Sequence, residues 1–179
     1  MHRFLSLLAV GLSLVFAHAP ARAQAPEVTL TRIECGTGAT PTDVAERFTD
    51  TYAYNGLKLT FTFSCYLIKH GNDYMVWDTG FAPGSNPNAP KVGIVERLGE
   101  LKVKPEQVKY VGISHYHADH TGQLGPFAQA TQLIGKDDWA GITSPTPAAG
   151  ANVAGFADWT KGNRKVEVVR SEEHTSELQ

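Results

Sequence analysis

The stretch "SHYHADHTG" (Ser114–Gly122) places three histidines and one aspartate within the six positions from His115 to His120. It follows directly on "VKYVGIS" (Val108–Ser114), whose apolar, β-branched character reads as a buried strand. In a chain leaving a strand, residues two apart point to the same side. His115, His117 and Asp119 therefore face one point, with Tyr116 and Ala118 turned away. His120 points elsewhere unless the backbone bends into a helix there. Such a bend brings it beside Asp119 and creates a second metal position. Imidazole and carboxylate are good ligands for zinc and related divalent ions, at about 2.0–2.2 Å. Gly122 lets the backbone turn tightly after them. The plainer alternative is a group of polar loop histidines. Against it stands their concentration: between Gln24 and Val169 the only other histidine is His70, at a strand end beside a turn, where it reads as a solvated surface residue.

Outward from this stretch, the pattern is that of an α/β protein with one mixed sheet and flanking helices. "LKLTFTFSCYLIKH" (Leu57–His70) reads as one long strand, turned by "GND" into the hairpin partner "YMVWDTG" (Tyr74–Gly80). "VTLTRIE" (Val28–Glu34) alternates as a strand, and "GTGATPTD" (Gly36–Asp43) is loop by composition. "FAPGSNPNAP" (Phe81–Pro90) is an irregular loop, either covering the site and shaping an acyl pocket or lying on the plain surface. "KVGIVERLGELKV" (Lys91–Val103) switches to helical period, with Val92, Val95, Leu98 and Leu101 on one stripe. "TQLIG" (Thr131–Gly135) is a strand and "KDDWAGI" (Lys136–Ile142) a short helix. A Gly/Ala/Pro-rich insertion precedes a final strand, "RKVEVV" (Arg164–Val169).

The 179 residues suffice for one domain with a substantial core. A net charge of −2 without a basic cluster argues against a nucleic-acid partner. At the N-terminus, "MHR" is followed by a 14-residue apolar run (Phe4–Ala17) and an A-x-A site at Ala21–Ala23. That is a cleavable signal peptide over residues 1–23, too short to be a membrane span. The mature chain is therefore expected in a periplasm or outside the cell, with no membrane span. Export makes a disulfide possible between Cys35 and Cys65, the two cysteines of the chain. They pair across neighbouring strands or serve as two small buried apolar residues, and the second is the commoner fate of such residues.

"HYHADH" (His115–His120) resembles the H-x-H-x-D-H signature of the metallo-β-lactamase superfamily, and "VWDTG" (Val76–Gly80) its preceding D-T-G turn. "DTYAYNGLKLTFTFSCYLIKHGNDYMVWDTGF" (Asp50–Phe81) is most similar to the N-acyl homoserine lactonase-like branch. The resemblance implies the N-terminal half of an αββα sandwich. It implies two divalent ions, zinc first among them. His115 and His117 match ligands of one ion, Asp119 and His120 of the other, and Asp119 also accepts a proton in turnover. Asp78 matches a carboxylate that supports the metal loop; as a residue it also reads as a turn-forming aspartate. The implied activity is attack of metal-bound hydroxide on a lactone or related ester. The Asp119–His120 pair disfavours β-lactamases that carry another residue after the aspartate and leaves open the exported ones that share H-x-H-x-D-H. The competing readings are an exported β-lactamase or thioester hydrolase on the same fold, and a non-catalytic zinc-binding module. Oligomeric state is not specified.

The family pattern calls for two more histidines and a bridging aspartate later in the chain. No histidine lies between His120 and Val169, and Asp137, Asp138 and Asp158 lack the expected Gly-rich context. The final "RSEEHTSELQ" (Arg170–Gln179) resembles the in-frame translation of a sequencing adapter, so His174 is not enlisted as a ligand. The expectation is a partial domain over residues 24–169 and a non-native tail over 170–179. Such a chain would be inactive, poorly folded, and would expose the apolar sheet face meant for a second sheet.

Overall fold

A computed structural model describes residues 25–170. The expected leader, and all of the expected tail except Arg170, lie outside the described residues. The elements run β1 (Val28–Thr37), β2 (Thr42–Asp43), α1 (Val44–Phe48), β3 (Lys58–Leu59), β4 (Thr62–His70), β5 (Asp73–Trp77) and α2 (Ile94–Glu100). They continue with β6 (Val108–Ile113), α3 (Ala118–Thr121), β7 (Thr131–Gly135), α4 (Lys136–Thr143), α5 (Ala157–Thr160) and β8 (Val166–Val169). The main sheet has the order β1-β4-β5-β6-β7-β8. Its first three strands are antiparallel and β5 to β8 are parallel. Parallel neighbours need crossover connections, and helices provide them. The sheet is mixed, as expected.

Register builds the core. Val76, Val111, Gln132 and Val166 lie side by side across β5 to β8, and Leu67 extends the row onto β4. Two residues further along, Ile113 and Ile134 repeat it. Apart from the buried polar Gln132, these residues form or pack against one apolar cluster with Leu98 of α2, Ile142 of α4 and the buried aromatics Phe127, Phe156 and Trp159. The opposite face carries Leu30, Ile68 and Met75 in one row and Tyr66, Trp77 and Leu133 in the next. Leu30 is 66% exposed and Trp77 39%. An apolar sheet face without a covering layer among the described residues is what the sequence leads one to expect. Among these residues no helix is long and apolar enough to cross a membrane.

Four local expectations need correction. Leu57–His70 is two strands, because Lys58–Leu59 pairs with Thr42–Asp43 in a separate ribbon while Thr62–His70 joins the sheet. Gly36–Asp43 is not all loop: β1 continues to Thr37 past a bulge, and Asp43 caps α1 by accepting the Ala45 N–H at 2.9 Å. In α2 the buried pair is Ile94 and Leu98, spaced i,i+4, whereas Leu101 is 42% exposed. The helix begins only after Gly93, which turns the stripe toward Ile94. Finally, Cys35 and Cys65 form a disulfide. Cys65 faces Ile33 in the register, and the bulge after Glu34 brings Cys35 to a Cα separation of 5.8 Å. Diagonal neighbours ordinarily stand about 7–8 Å apart. Closing a loop with a sequence separation of 30 is worth roughly 3–4 kcal/mol on the chain-entropy account.

Candidate metal centre

The parallel register sets Trp77 beside Gly112, so β5 and β6 end together at one edge of the sheet. Ligand sites in α/β sheets form outside such carboxyl ends. Asp78 leaves β5 with φ 58°, in the left-handed region that aspartate tolerates better than most residues, and its N–H donates to Gly112 O at 2.8 Å. After β6 the chain bends into α3 at Ala118, as the second metal position requires. The turn Asp78–Gly80 and the bend are stitched together. Thr79 N donates to His120 O at 2.6 Å and Gly122 N to Gly80 O at 2.9 Å. The Gln123 side-chain amide donates to Thr79 O and Phe81 O, each at 2.9 Å. Gly122 is required by close approach: a Cβ there would stand 2.7 Å from Gly80 O and from Ala82 N.

This framework gathers all five residues singled out in the sequence. His115 Nε2 and His117 Nδ1 are 3.1 Å apart, and His120 Nε2 and Asp119 Oδ2 are 3.2 Å apart. Two ligands about 2.0–2.1 Å from a tetrahedral ion are separated by roughly 3.3–3.4 Å, so each pair spans one coordination edge. Ligand atoms of His115, Asp119 and His120 all lie within 4.8 Å of one another. The donor set fits zinc-type divalent ions. Tyr116 faces away, as expected, and packs against the core.

Asp78 is 4% exposed and lies behind the ligands. Its Oδ2 receives His120 Nδ1 at 2.7 Å, which leaves Nε2 turned toward Asp119. Ser114 donates its N–H to Oδ1 and its hydroxyl to Oδ2, both at 2.8 Å. A carboxylate behind a histidine ligand fixes its tautomer and ring orientation. Asp78 is at once the turn aspartate and the carboxylate that supports the loop.

Sequence reasoning missed Ser114, Thr79 and Gln123. It also missed the Gly/Ala/Pro-rich insertion as a support for His117. A Cβ on Gly150 would come within 2.9 Å of His117 Nε2, and Ala151 bridges His117 through the backbone. Asn152 donates to Thr121 Oγ1 at 3.0 Å. The legible hint was Gly150 itself, a glycine in the left-handed region (φ 78°) within the insertion. A cavity of about 430 Å³ opens beside Asp119 and His120, walled by Phe48, Phe61 and Phe63. Of the loop Phe81–Pro90, Asn88 lines it, and its side chain accepts the Ala39 N–H at 2.8 Å.

Burial opposes a charge on His120, but the Asp119 and Asp78 carboxylates outweigh it and raise the imidazole from 6.5 to about 9. Burial works most strongly against the Asp119 carboxylate, but its hydrogen bond to His120, the charges of His120 and His115 and a backbone hydrogen bond together outweigh it and lower its pKa. His115 is lowered by burial and by the neighbouring His120 and His117. In the metal-free protein His120 thus favours folding below about 6.5, and that contribution is lost as pH rises through about 9. A divalent ion at Asp119 and His120 must displace the His120 Nε2 proton. Apparent metal affinity is expected to rise about tenfold per pH unit between pH 7 and 9 and then level off. Calorimetric titration in buffers of different ionisation enthalpy counts the proton released. Flat affinity across that range would contradict the assignment.

A family model described as the metallo-beta-lactamase superfamily matches residues 63–172. The N-acyl homoserine lactonase AttM of Agrobacterium fabrum is 38% identical over 58 residues, which cover 32% of this chain and 22% of that protein. The N-acyl homoserine lactonase AiiB of Rhizobium rhizogenes is 32% identical over 93 residues, covering 43% and 34%. Among solved structures, a quorum-quenching N-acyl homoserine lactone lactonase aligns with a TM-score of 0.60 at 18% identity, over 82% of this chain and 58% of that one. AidC, described as a dizinc quorum-quenching lactonase, aligns with a TM-score of 0.51 at 16% identity, over 68% and 46%. The chain therefore spans about a fifth to a third of the curated relatives it matches, and less than two thirds of the solved structures. With the family model covering most of the described sheet and the whole histidine loop, the chain belongs to the metallo-β-lactamase superfamily.

Proposed function

We propose that the protein is a metal-dependent hydrolase that opens a lactone of the N-acyl homoserine type, or a related ester. The observation that carries this reading is the pairing of ligand atoms, His115 with His117 and Asp119 with His120, at the mouth of an aromatic-walled cavity. The names of the relatives support the lactone, and the dizinc description of one structural neighbour supports two zinc ions. Bound ions would bring the pKa of water toward ~7 and polarise the carbonyl under attack. The chain's own residues do the rest. His115 and His117 would hold one ion and Asp119 and His120 the other, while Asp78 keeps His120 Nε2 aimed. The Asp119 carboxylate takes up a proton in turnover, and Phe48, Phe61 and Phe63 shield an acyl group from water.

Four donors shared by two ions leave two each, fewer than the three protein ligands of a catalytic zinc site. We therefore read residues 24–169 as part of a larger catalytic domain, with turnover expected from the longer reading frame and not from the 179 residues alone. The leader pattern at residues 1–23 supports export to a periplasm or the exterior, and the buried disulfide agrees with it. The same two features favour an exported β-lactamase or thioester hydrolase as the second reading. The test is a panel of acyl homoserine lactones, β-lactams and thioesters. It is run with zinc on this chain and on the reading frame continued from genomic DNA beyond Val169. Lactone opening by the longer chain is expected; β-lactam or thioester hydrolysis without it would overturn the choice of substrate.

A further inference from the structure

The Cys35–Cys65 bridge touches the metal-ligand framework directly. Gly80 has φ 70°, and a Cβ there would stand 2.6 Å from Cys35 Cβ, 3.0 Å from Cys35 Sγ and 3.1 Å from Cys35 O. The Asp78–Gly80 turn thus rests on the disulfide with no room between. From the other side of the turn, Gly80 O accepts Gly122 N at 2.9 Å and Thr79 N donates to His120 O at 2.6 Å. Asp78 Oδ2 receives His120 Nδ1 at 2.7 Å. A short path of close contacts therefore leads from the bridge through Gly80 to His120.

We propose that the disulfide is a positioning element for the metal centre: it sets the Asp78–Gly80 turn, and through it His120, so that the centre is fully formed only in the oxidised chain. This rests on the reading of His115, His117, Asp119 and His120 as metal ligands. Both cysteines are buried, at 1% and 0% exposure, so unbonded sulfurs have no path to solvent. Two thiols need more room than one sulfur–sulfur bond, and the element packed against them is the turn. Closing the bridge removes two electrons and two protons from the thiols, and an exchanging protein or small-molecule disulfide takes them up as two thiols. Assembly of the centre would then follow arrival in an oxidising compartment.

The test compares wild type, the double variant Cys35→Ala/Cys65→Ala, and Val108→Ala, which opens a core gap at the far end of β6. Hydrogen exchange of the Thr79, Ser114 and Gly122 amides is measured without metal, and zinc affinity by competition with a chelating dye. The double variant is expected to lose protection at these three amides and to bind zinc about 10–100-fold more weakly, the usual effect of loosening the partners behind metal ligands. Val108→Ala is expected to lower overall stability and leave zinc affinity within about twofold, as for distant, independent sites. Unchanged protection and affinity in the double variant would overturn the proposal. So would an equal loss in Val108→Ala, which would reduce the bridge to a general stabiliser. If the double variant does not fold, wild type reduced while unfolded and refolded without oxidant, with the dithiol removed before zinc is added, gives the same two readouts. Because amide protection is read without metal, a chain that binds no zinc but still loses protection would fault the ligand reading and uphold the positioning role.

Discussion

If the protein is the hydrolase proposed above, Asp119→Ala is expected to lower its turnover by about 10²–10⁴-fold, the usual contribution of a positioned proton acceptor. Folding should be weakened only modestly, by the share of the His120 pairing that Asp119 supplies. Asp119 is half-buried, its side chain is paired only with His120, and it lies on the four-residue α3 at the cavity mouth. Loss of this carboxylate removes one ligand of the Asp119–His120 pair. It also removes one of the two anions that hold His120 near 9, so the imidazole moves back toward 6.5. Proton release on metal binding near pH 7–8 should shrink accordingly. Steady-state kinetics on the lactone substrate is the direct measurement. A non-catalytic zinc-binding module has no turnover to lose, so this substitution separates the enzyme from the binder.

Asp78→Ala should act on the fold and the site together. The carboxylate accepts the Ser114 N–H, the Ser114 hydroxyl and His120 Nδ1 while nearly sealed from solvent. Its removal strands three donors, one of them on a charged imidazole, and a loss of about 3–5 kcal/mol in unfolding free energy is expected. Alanine at φ 58° adds strain that aspartate tolerates better. Zinc affinity should fall by about 10–100-fold as His120 loses the partner that fixes its ring. Asp78→Asn accepts the left-handed backbone and keeps an acceptor for Ser114, so its stability loss should be smaller while metal binding is still impaired. Denaturant unfolding and zinc titration of both variants check the two effects separately. An Asp78→Ala protein as stable as wild type, with unchanged zinc affinity, would show that the turn does not support the ligands.

What was legible in the sequence follows from how local each signal is. His115 and His117 could be read because two-residue alternation and ligand chemistry coincide there, whereas Asp119 lies in α3, beyond the strand, and was legible from its ligand chemistry alone. The bend at Ala118 that returns His120 to Asp119 was conditional on backbone geometry, and it is secured by contacts from Thr79 and Gly80, about forty positions earlier. Ser114 escaped notice because a serine after a strand carries no distinguishing mark. Its role exists only because the parallel register brings Asp78 next to it. The disulfide was open for a similar reason: a bulge after Glu34 moves Cys35 toward Cys65, and a bulge leaves little trace in the alternation of apolar residues. The break at Thr60–Phe61 was hidden because the alternation continues through it while the pairing partner changes from β2 to β1.

The central claim is that His115, His117, Asp119 and His120 hold metal in two pairs. Anomalous diffraction at the zinc edge, from crystals of the oxidised protein grown with zinc, tests it most directly. Peaks on the His115 Nε2–His117 Nδ1 edge and on the Asp119 Oδ2–His120 Nε2 edge, each about 2.0–2.2 Å from its ligand atoms, are the expected result. Zinc bound only at other side chains, with His120 still bridging Asp78 and Asp119, would contradict it.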